Sequence, residues 1–345
     1  MTTPLRTALL GFGTAGRVFH GPLLATDPDY AVTVVSTADP DRAGQATAAH
    51  PDAVVVPTPD DALARAVDLD LVIIGTPPHT HADLAHRAID AGLAVVVDKP
   101  FTVTSVEGRE VIEHARAAGV PLTVHQNRRW DADFLTLREL LAHGRLGTVH
   151  RFESRFEWWK PVPPDTWKGR LGPEQGGGIL FDLGTHLIDQ AVQLFGPVEG
   201  LSAETDVRRA GGGADDDTFV VLEHTSGVRS HLWMSSVAAQ PGPRFRVLGS
   251  RAGYVSWELD GQEAALKEGL VPTDPDWGLT PPDRWGTLGV PGALEPVPAA
   301  RGDYGAFYRL LSAALRSGGP LPVDPADSLH VIELIERLRR SAAAA

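Results

Sequence analysis

Through the first 125 residues, short apolar runs alternate with longer mixed stretches. Leu5 to Leu10, Ala31 to Val35, Ala53 to Val56, Leu69 to Ile74, Leu93 to Val97 and Pro121 to His125 read as strands, and Val111 to Ala118 carries a helical pattern. Continuous apolar runs of this length fit strands buried on both faces, and strands alternating with helices predict a parallel sheet with crossover connections. The pattern then changes. After a helix from Asp133 to Ala142 come longer β runs, Val149 to Trp159, Gly200 to Arg208, Thr218 to Glu223, Val228 to Val237, Phe245 to Gly249 and Gly253 to Glu258, which predict a largely antiparallel sheet. The expected fold is therefore α/β, an N-terminal Rossmann-type domain over 1–125 followed by an α+β domain over 126–345. Leu270 to Pro298, rich in proline and glycine, reads as a long loop. Asp303 to Leu315 and Pro325 to Arg339 read as closing helices, placed to pack back on the first domain. A sheet face bearing Phe152, Phe156, Trp158 and Trp233 offers a surface to a second subunit.

Three motifs sit on this frame. The first strand runs directly into Gly11-Phe12-Gly13-Thr14-Ala15-Gly16, a GxGxxG opening a helix. In a dinucleotide-binding unit these glycines make the turn, admit the pyrophosphate and let helix and strand pack closely. About 20 residues further on, where the adenine ribose is read, stand Ser36 and Thr37 with Arg42 nearby, a set that leaves room for the 2′-phosphate of NADP. Asp39, followed by Pro40, is either a ribose ligand favouring NAD or a helix cap. At the ends of later strands, Thr76, Pro77 and His81 are expected beside the nicotinamide half of the cofactor. Lys99 of Asp98-Lys99-Pro100 is expected to point into the site, where its ammonium stabilises negative charge on a substrate oxygen. The third motif is Gly176-Gly177-Gly178 leading into a helical segment in which Asp182, His186 and Asp189 share one face. Three glycines suggest a close-approaching ligand, and the face reads as an acid/base cluster.

Composition narrows the partners. With 44 acids against 31 bases, the formal net charge of −13 disfavours nucleic acid and anionic membranes. There is no cysteine in the 345 residues, which excludes disulfides and thiol or iron-sulfur chemistry and fits a cytoplasmic protein. No apolar run has a membrane helix's length of roughly 20 residues. No metal is expected, because the Asp182, His186 and Asp189 set has no further ligand at zinc spacing.

In order and spacing, Gly11 to Gly16, Asp98-Lys99-Pro100 and Gly176 through Asp189 resemble the signature set of the glucose-fructose oxidoreductase / inositol dehydrogenase / rhizopine catabolism (Gfo/Idh/MocA) oxidoreductase family. His20-Gly21-Pro22-Leu23 and His125 through Thr136 look most like the branch containing NADP-dependent scyllo-inositol dehydrogenases. The resemblance implies a Rossmann domain and an open sheet often used for dimer or tetramer contacts. It also implies hydride transfer between a nicotinamide cofactor and a hydroxyl of a cyclic polyol or sugar. Lys99 matches the family's lysine, and Asp182 and His186 match its D-x-x-x-H pair, with His186 the proton acceptor and Asp182 orienting the sugar or the histidine. Asn127, Arg128, Trp130, Asp131, Trp167 and Tyr304 are candidates for the sugar pocket, since polyols are read by hydrogen bonds and flat apolar faces. Many NAD-using members carry Asp where Thr37 stands, and some NADP-using ones carry Arg where Ala38 stands, so NADP is favoured while NAD stays open. The alternatives are a non-catalytic NAD(P)-binding sensor on the same fold, or a reductase of a non-sugar carbonyl.

Overall fold

The computed structural model describes residues 3–162 and 171–343. Contacts divide the chain into two units, and the first is discontinuous. It comprises Met1–Trp130, Gly261–Trp277 and Asp303–Leu329, while the second comprises Asp131–Asp260, Gly278–Gly302 and His330–Ala345.

The first unit is built on a parallel sheet in the order β3-β2-β1-β4-β5-β6. Its strands are β1 (Leu5–Leu10), β2 (Tyr30–Ser36), β3 (Val54–Val56), β4 (Leu71–Ile74), β5 (Ala94–Asp98) and β6 (Leu122–His125). The order reverses between β1 and β4, and in such sheets the crevice at the strands' carboxyl ends is where ligands bind. The apolar runs are explained by burial on both faces. Val72, Ile74, Val95 and Val97 join one core cluster, whereas Leu71, Ile73, Ala94 and Val96 join another. The second cluster is completed by Leu266, Trp277 and, from the helix Gly305–Ser317, Phe307, Tyr308 and Leu311. The helix Ser105–Ala118 is fixed at both ends. Thr104 and Glu107 form a reciprocal capping box, worth about 1 kcal/mol, and Gly119 closes it in the left-handed conformation.

The second unit contains a sheet in the order β14-β13-β12-β11-β7-β10-β9-β8. Its strands are β7 (Val149–Glu157), β8 (Val198–Asp206), β9 (Asp217–His224), β10 (Arg229–Ser235), β11 (Phe245–Gly249), β12 (Gly253–Ser256), β13 (Gly286–Val290) and β14 (Ala293–Val297). All pairings are antiparallel except β7 with β10. Burial alternates along β9, so one face covers the core and the other does not.

Three expectations are corrected here. Leu270 to Pro298 is not all loop: Pro291 and Gly292 form the turn of the hairpin β13–β14, and Pro296 sits on an edge strand, where proline is tolerated. Phe152 and Phe156 do not share a face with Trp233. They are buried in the core, whereas Trp233 lies beside Phe219 under the Arg155 guanidinium, 3.9 Å from the ring centroid. The segment after the glycines is broken at Leu183 (φ −106°) into Ile179–Asp182 and Gly184–Phe195.

Candidate functional site

The phosphate loop of the first unit has room where the chemistry needs it. A Cβ on Gly16 would lie 2.2 Å from the Gly11 carbonyl oxygen, so only glycine lets that turn close. At Gly13, by contrast, a Cβ would meet nothing nearer than Arg42 Nη1 at 3.8 Å. That space above the backbone is what a pyrophosphate approaching closely requires, so the loop fits a dinucleotide. Phe12 is buried beneath it, and Thr14 precedes the helical turn Ala15–His20. Ser36 is buried, and its Oγ accepts the Gly11 N–H at 3.3 Å, so this side chain shapes the loop from below. Thr37 follows at the tip of β2, its N–H on the Val56 carbonyl. Asp39 caps the helix Pro40–Ala49: Oδ1 accepts the amides of Asp41 and Arg42, and Oδ2 stands 3.6 Å from Arg42 Nε.

The loops after β4 and β5 are tied together. Thr76 Oγ1 is 2.6 Å from Thr80 Oγ1, and Pro77 leads into the short turn Pro78–Thr80. His81 is buried, with one ring nitrogen 2.9 Å from the Thr76 carbonyl and the other 2.9 Å from that of Pro100. Its ring thus joins the two loops, and the Lys99–Pro100 peptide between them is cis. Lys99 is half-buried just beyond β5.

Of the sugar-pocket candidates, Asn127, Arg128, Trp130 and Tyr304 belong to this first unit and Asp131 to the second. Arg128 is paired with Glu263 at 2.8 Å, Trp130 packs edge-on against Phe307, and Tyr304 and Asp131 are fully buried. Trp167 lies outside the described residues.

In the second unit the glycine run serves the chain itself. Gly178 has φ +99°, and a Cβ there would fall 2.0 Å from Asp215 Oδ1, while one on Gly177 would fall 2.1 Å from the Leu171 carbonyl oxygen. Asp215 is pinned in turn, Oδ2 accepting the Leu180 N–H at 2.7 Å and the Thr218 hydroxyl at 3.0 Å. Asp182 closes the short helix that Asp215 caps, and it is partly exposed. Past the break, His186 is 4% exposed, its ring edge-on to Phe156, and Asp189 is buried on the same helix.

One turn on, Gln190 accepts a hydrogen bond from Arg244, a buried guanidinium that also donates to Asp133 at 2.8 Å and Ser154 at 2.6 Å and stacks on Phe156 and Phe245. A buried charge is tolerated only when paired and saturated in this way. Asp215 and Arg244 are the positioning residues that sequence reading missed. The acidic run Asp215-Asp216-Asp217 and an arginine between Pro243 and the strand Phe245–Gly249 were the available signals. Lys99 belongs to the first unit, and Asp182 and His186 to the second.

Among the described residues, no helix is long and apolar enough to cross a membrane. The family description "Oxidoreductase family, NAD-binding Rossmann fold" matches residues 5–126, and "GFO/IDH/MocA C-terminal domain" matches 134–255. The chain is 39% identical over 340 residues to the uncharacterized oxidoreductase YdgJ of Escherichia coli, covering 97% of this chain and 96% of the relative. It is 32% identical over 341 residues to scyllo-inositol 2-dehydrogenase (NADP(+)) IolW of Bacillus subtilis, covering 98% and 93%. The solved yvaA structure of Bacillus subtilis superposes with a TM-score of 0.93 at 31% identity, over 100% of this chain and 97% of that one. With both halves matched and a nicotinamide-binding Rossmann sheet in place, the chain belongs to the Gfo/Idh/MocA family of oxidoreductases.

Proposed function

We propose that the protein oxidises a secondary hydroxyl of a cyclic polyol or sugar of the inositol kind, or reduces the matching ketone, with NADP as the preferred cofactor. The observation that carries this reading is the immobilised imidazole. His186 is nearly buried against Phe156 on a helix anchored through Gln190 and Arg244, and a proton-transfer group works best when its orientation is fixed in advance. A relative named scyllo-inositol 2-dehydrogenase (NADP(+)) supports the substrate class.

When bound, the nicotinamide supplies the two-electron acceptor or donor for the hydride on the carbinol carbon. His186 takes the hydroxyl proton as the carbon becomes a ketone. The Lys99 ammonium donates a hydrogen bond to the same oxygen and stabilises its developing negative charge, and Asp182 orients the ring hydroxyls. On the nucleotide side, Gly11 to Gly16 hold the pyrophosphate. Arg42, whose guanidinium reaches to 3.8 Å from the open face of Gly13, is the cation for a 2′-phosphate, and Thr37 adds no charge against it. Asp39 is engaged with its own helix N-terminus, which supports NADP over NAD.

A panel of inositols and hexoses, screened with both cofactors by nicotinamide absorbance, tests the reading. Turnover of at least one cyclic polyol or sugar, with higher kcat/KM for NADP, is expected. No turnover of any of them alongside normal NADP binding would overturn it in favour of a sensor or a reductase of another carbonyl.

A further inference from the structure

We propose that His20, Asp98 and His125 form a binding site for one divalent transition-metal ion of the zinc type, within the nucleotide-binding unit. His20 Nε2 lies 3.7 Å and His125 Nδ1 3.5 Å from the same atom, Asp98 Oδ1. One ligand atom from each of the three residues lies within 4.8 Å of the others. The two separations are too long for hydrogen bonds, whose heavy atoms approach to about 2.7–3.2 Å. They suit atoms that share an ion: ligands about 2.0–2.1 Å from zinc at tetrahedral angles stand roughly 3.3 Å apart.

The His20 ring in particular lacks a partner on its Asp98 side. His20 and His125 are 0% and 1% exposed, with ring centroids 4.4 Å apart, and each has an Nε2 that meets no hydrogen-bonding group. Buried polar atoms are overwhelmingly paired, and His20 Nε2, the atom turned towards Asp98 Oδ1, is one that calls for an explanation; in His125 the atom turned that way is Nδ1. His20 is also oriented as a metal ligand would be: its other nitrogen, Nδ1, is in hydrogen-bond contact with the Tyr308 hydroxyl, the outer-shell contact that fixes a ring's tautomer and direction.

Nitrogen and oxygen ligands without cysteine fit Zn2+ or its spectroscopic substitute Co2+. Asp98, a fifth exposed, leaves its side open for a water as fourth ligand. The ion would tie the turn Ala15–His20, directly after the phosphate loop, to the ends of β5 and β6, and so fix the residue before Lys99. This goes beyond the proposed reaction and does not depend on its substrate.

The test uses the full chain without an affinity tag, stripped with a chelator and titrated with Zn2+ by calorimetry and with Co2+ by visible absorption. Saturable uptake of about one ion per chain is expected, with a thermal midpoint that rises as free Zn2+ exceeds its Kd. Loss of one ligand in His125→Phe should weaken binding by about 100-fold or more, and Tyr308→Phe, which removes only the outer contact, by about 10-fold. His114→Gln serves as the control, because His114 and His86 with Asp90 form a solvent-facing pair elsewhere. Binding should be unchanged there. The proposal fails if the parent protein shows no saturable uptake and no midpoint shift, or if uptake survives His125→Phe and disappears in His114→Gln. Should His125→Phe not fold, His20→Asn is read the same way, and the parent's own titration and midpoint decide independently.

Discussion

Two glycine-rich turns carry the candidate chemistry, and they use glycine for opposite reasons. In the phosphate loop, Gly13 keeps a space empty, its missing Cβ facing only the Arg42 guanidinium at 3.8 Å. In the turn before the helix of His186, the space at Gly177 and Gly178 is already filled, by the Leu171 carbonyl and the Asp215 carboxylate. Gly13 is therefore left open for a ligand, whereas Gly177 and Gly178, like Gly16, make room for their own chain. A run of glycines marks close approach to backbone without saying what approaches.

The largest expected effect comes from filling the occupied turn. Gly178→Ala forces a side chain into a positive-φ position and displaces Asp215 from the Leu180 N–H and the Thr218 hydroxyl, which should cost about 3 kcal/mol in a urea titration. Adding Asp215→Ala to it sharpens the point: the clash goes, the backbone strain stays, and the double variant should lose less than the two single losses combined. If Gly178→Ala is as stable as the parent, the turn is not filled as described.

His186→Ala asks whether this self-filled turn nonetheless serves catalysis. Turnover should fall by roughly 100-fold or more with cofactor affinity little changed, because a general base contributes on that scale. A rate within about twofold of the parent enzyme would remove His186 from the reaction.

Gly13→Ala probes the open loop. The added methyl group meets no backbone, so stability should stay within about 0.5 kcal/mol while the Kd for NADP rises about tenfold or more. Equal losses of stability and affinity would make the two turns alike. A smaller effect is expected at the rim of the same loop, where Thr37→Asp should shift the NADP/NAD ratio of kcat/KM about tenfold towards NAD, through repulsion of order 1–3 kcal/mol near the 2′-phosphate. An unmoved ratio would mean that the ribose is read elsewhere.

How far the sequence discloses this architecture depends on the range of the contacts. The six parallel strands are legible because burial on both faces leaves apolar runs such as Leu71–Ile74, and their observed ends shift by only a residue or two. The hairpin β13–β14 is hidden because its turn and edge residues, Pro291, Gly292 and Pro296, carry the composition of a loop. Asp182 and His186 are proposed from their spacing, and that spacing does not disclose the break at Leu183 between them. The Arg244 network and the His20, Asp98 and His125 cluster are assembled from separate segments, and no periodicity brings those together.

The interrupted course of the nucleotide-binding unit also has a consequence for how the protein is made. One face of its parallel sheet is covered by Phe307, Tyr308 and Leu311, which leave the ribosome only after the entire eight-stranded sheet has been synthesised. A nascent chain that has reached Trp130 holds all six strands of the first sheet, with Val18, Leu23, Leu24 and Ala46 packed on that face, but lacks the rest of its cover for as long as the remaining residues take to translate. Domains usually fold in the order in which they emerge. Here the first unit to begin cannot finish until the segment ending at Leu329 is made, so the interval is a window for chaperone capture, and a stop before Asp303 would leave that face of the Rossmann sheet without Phe307, Tyr308 and Leu311.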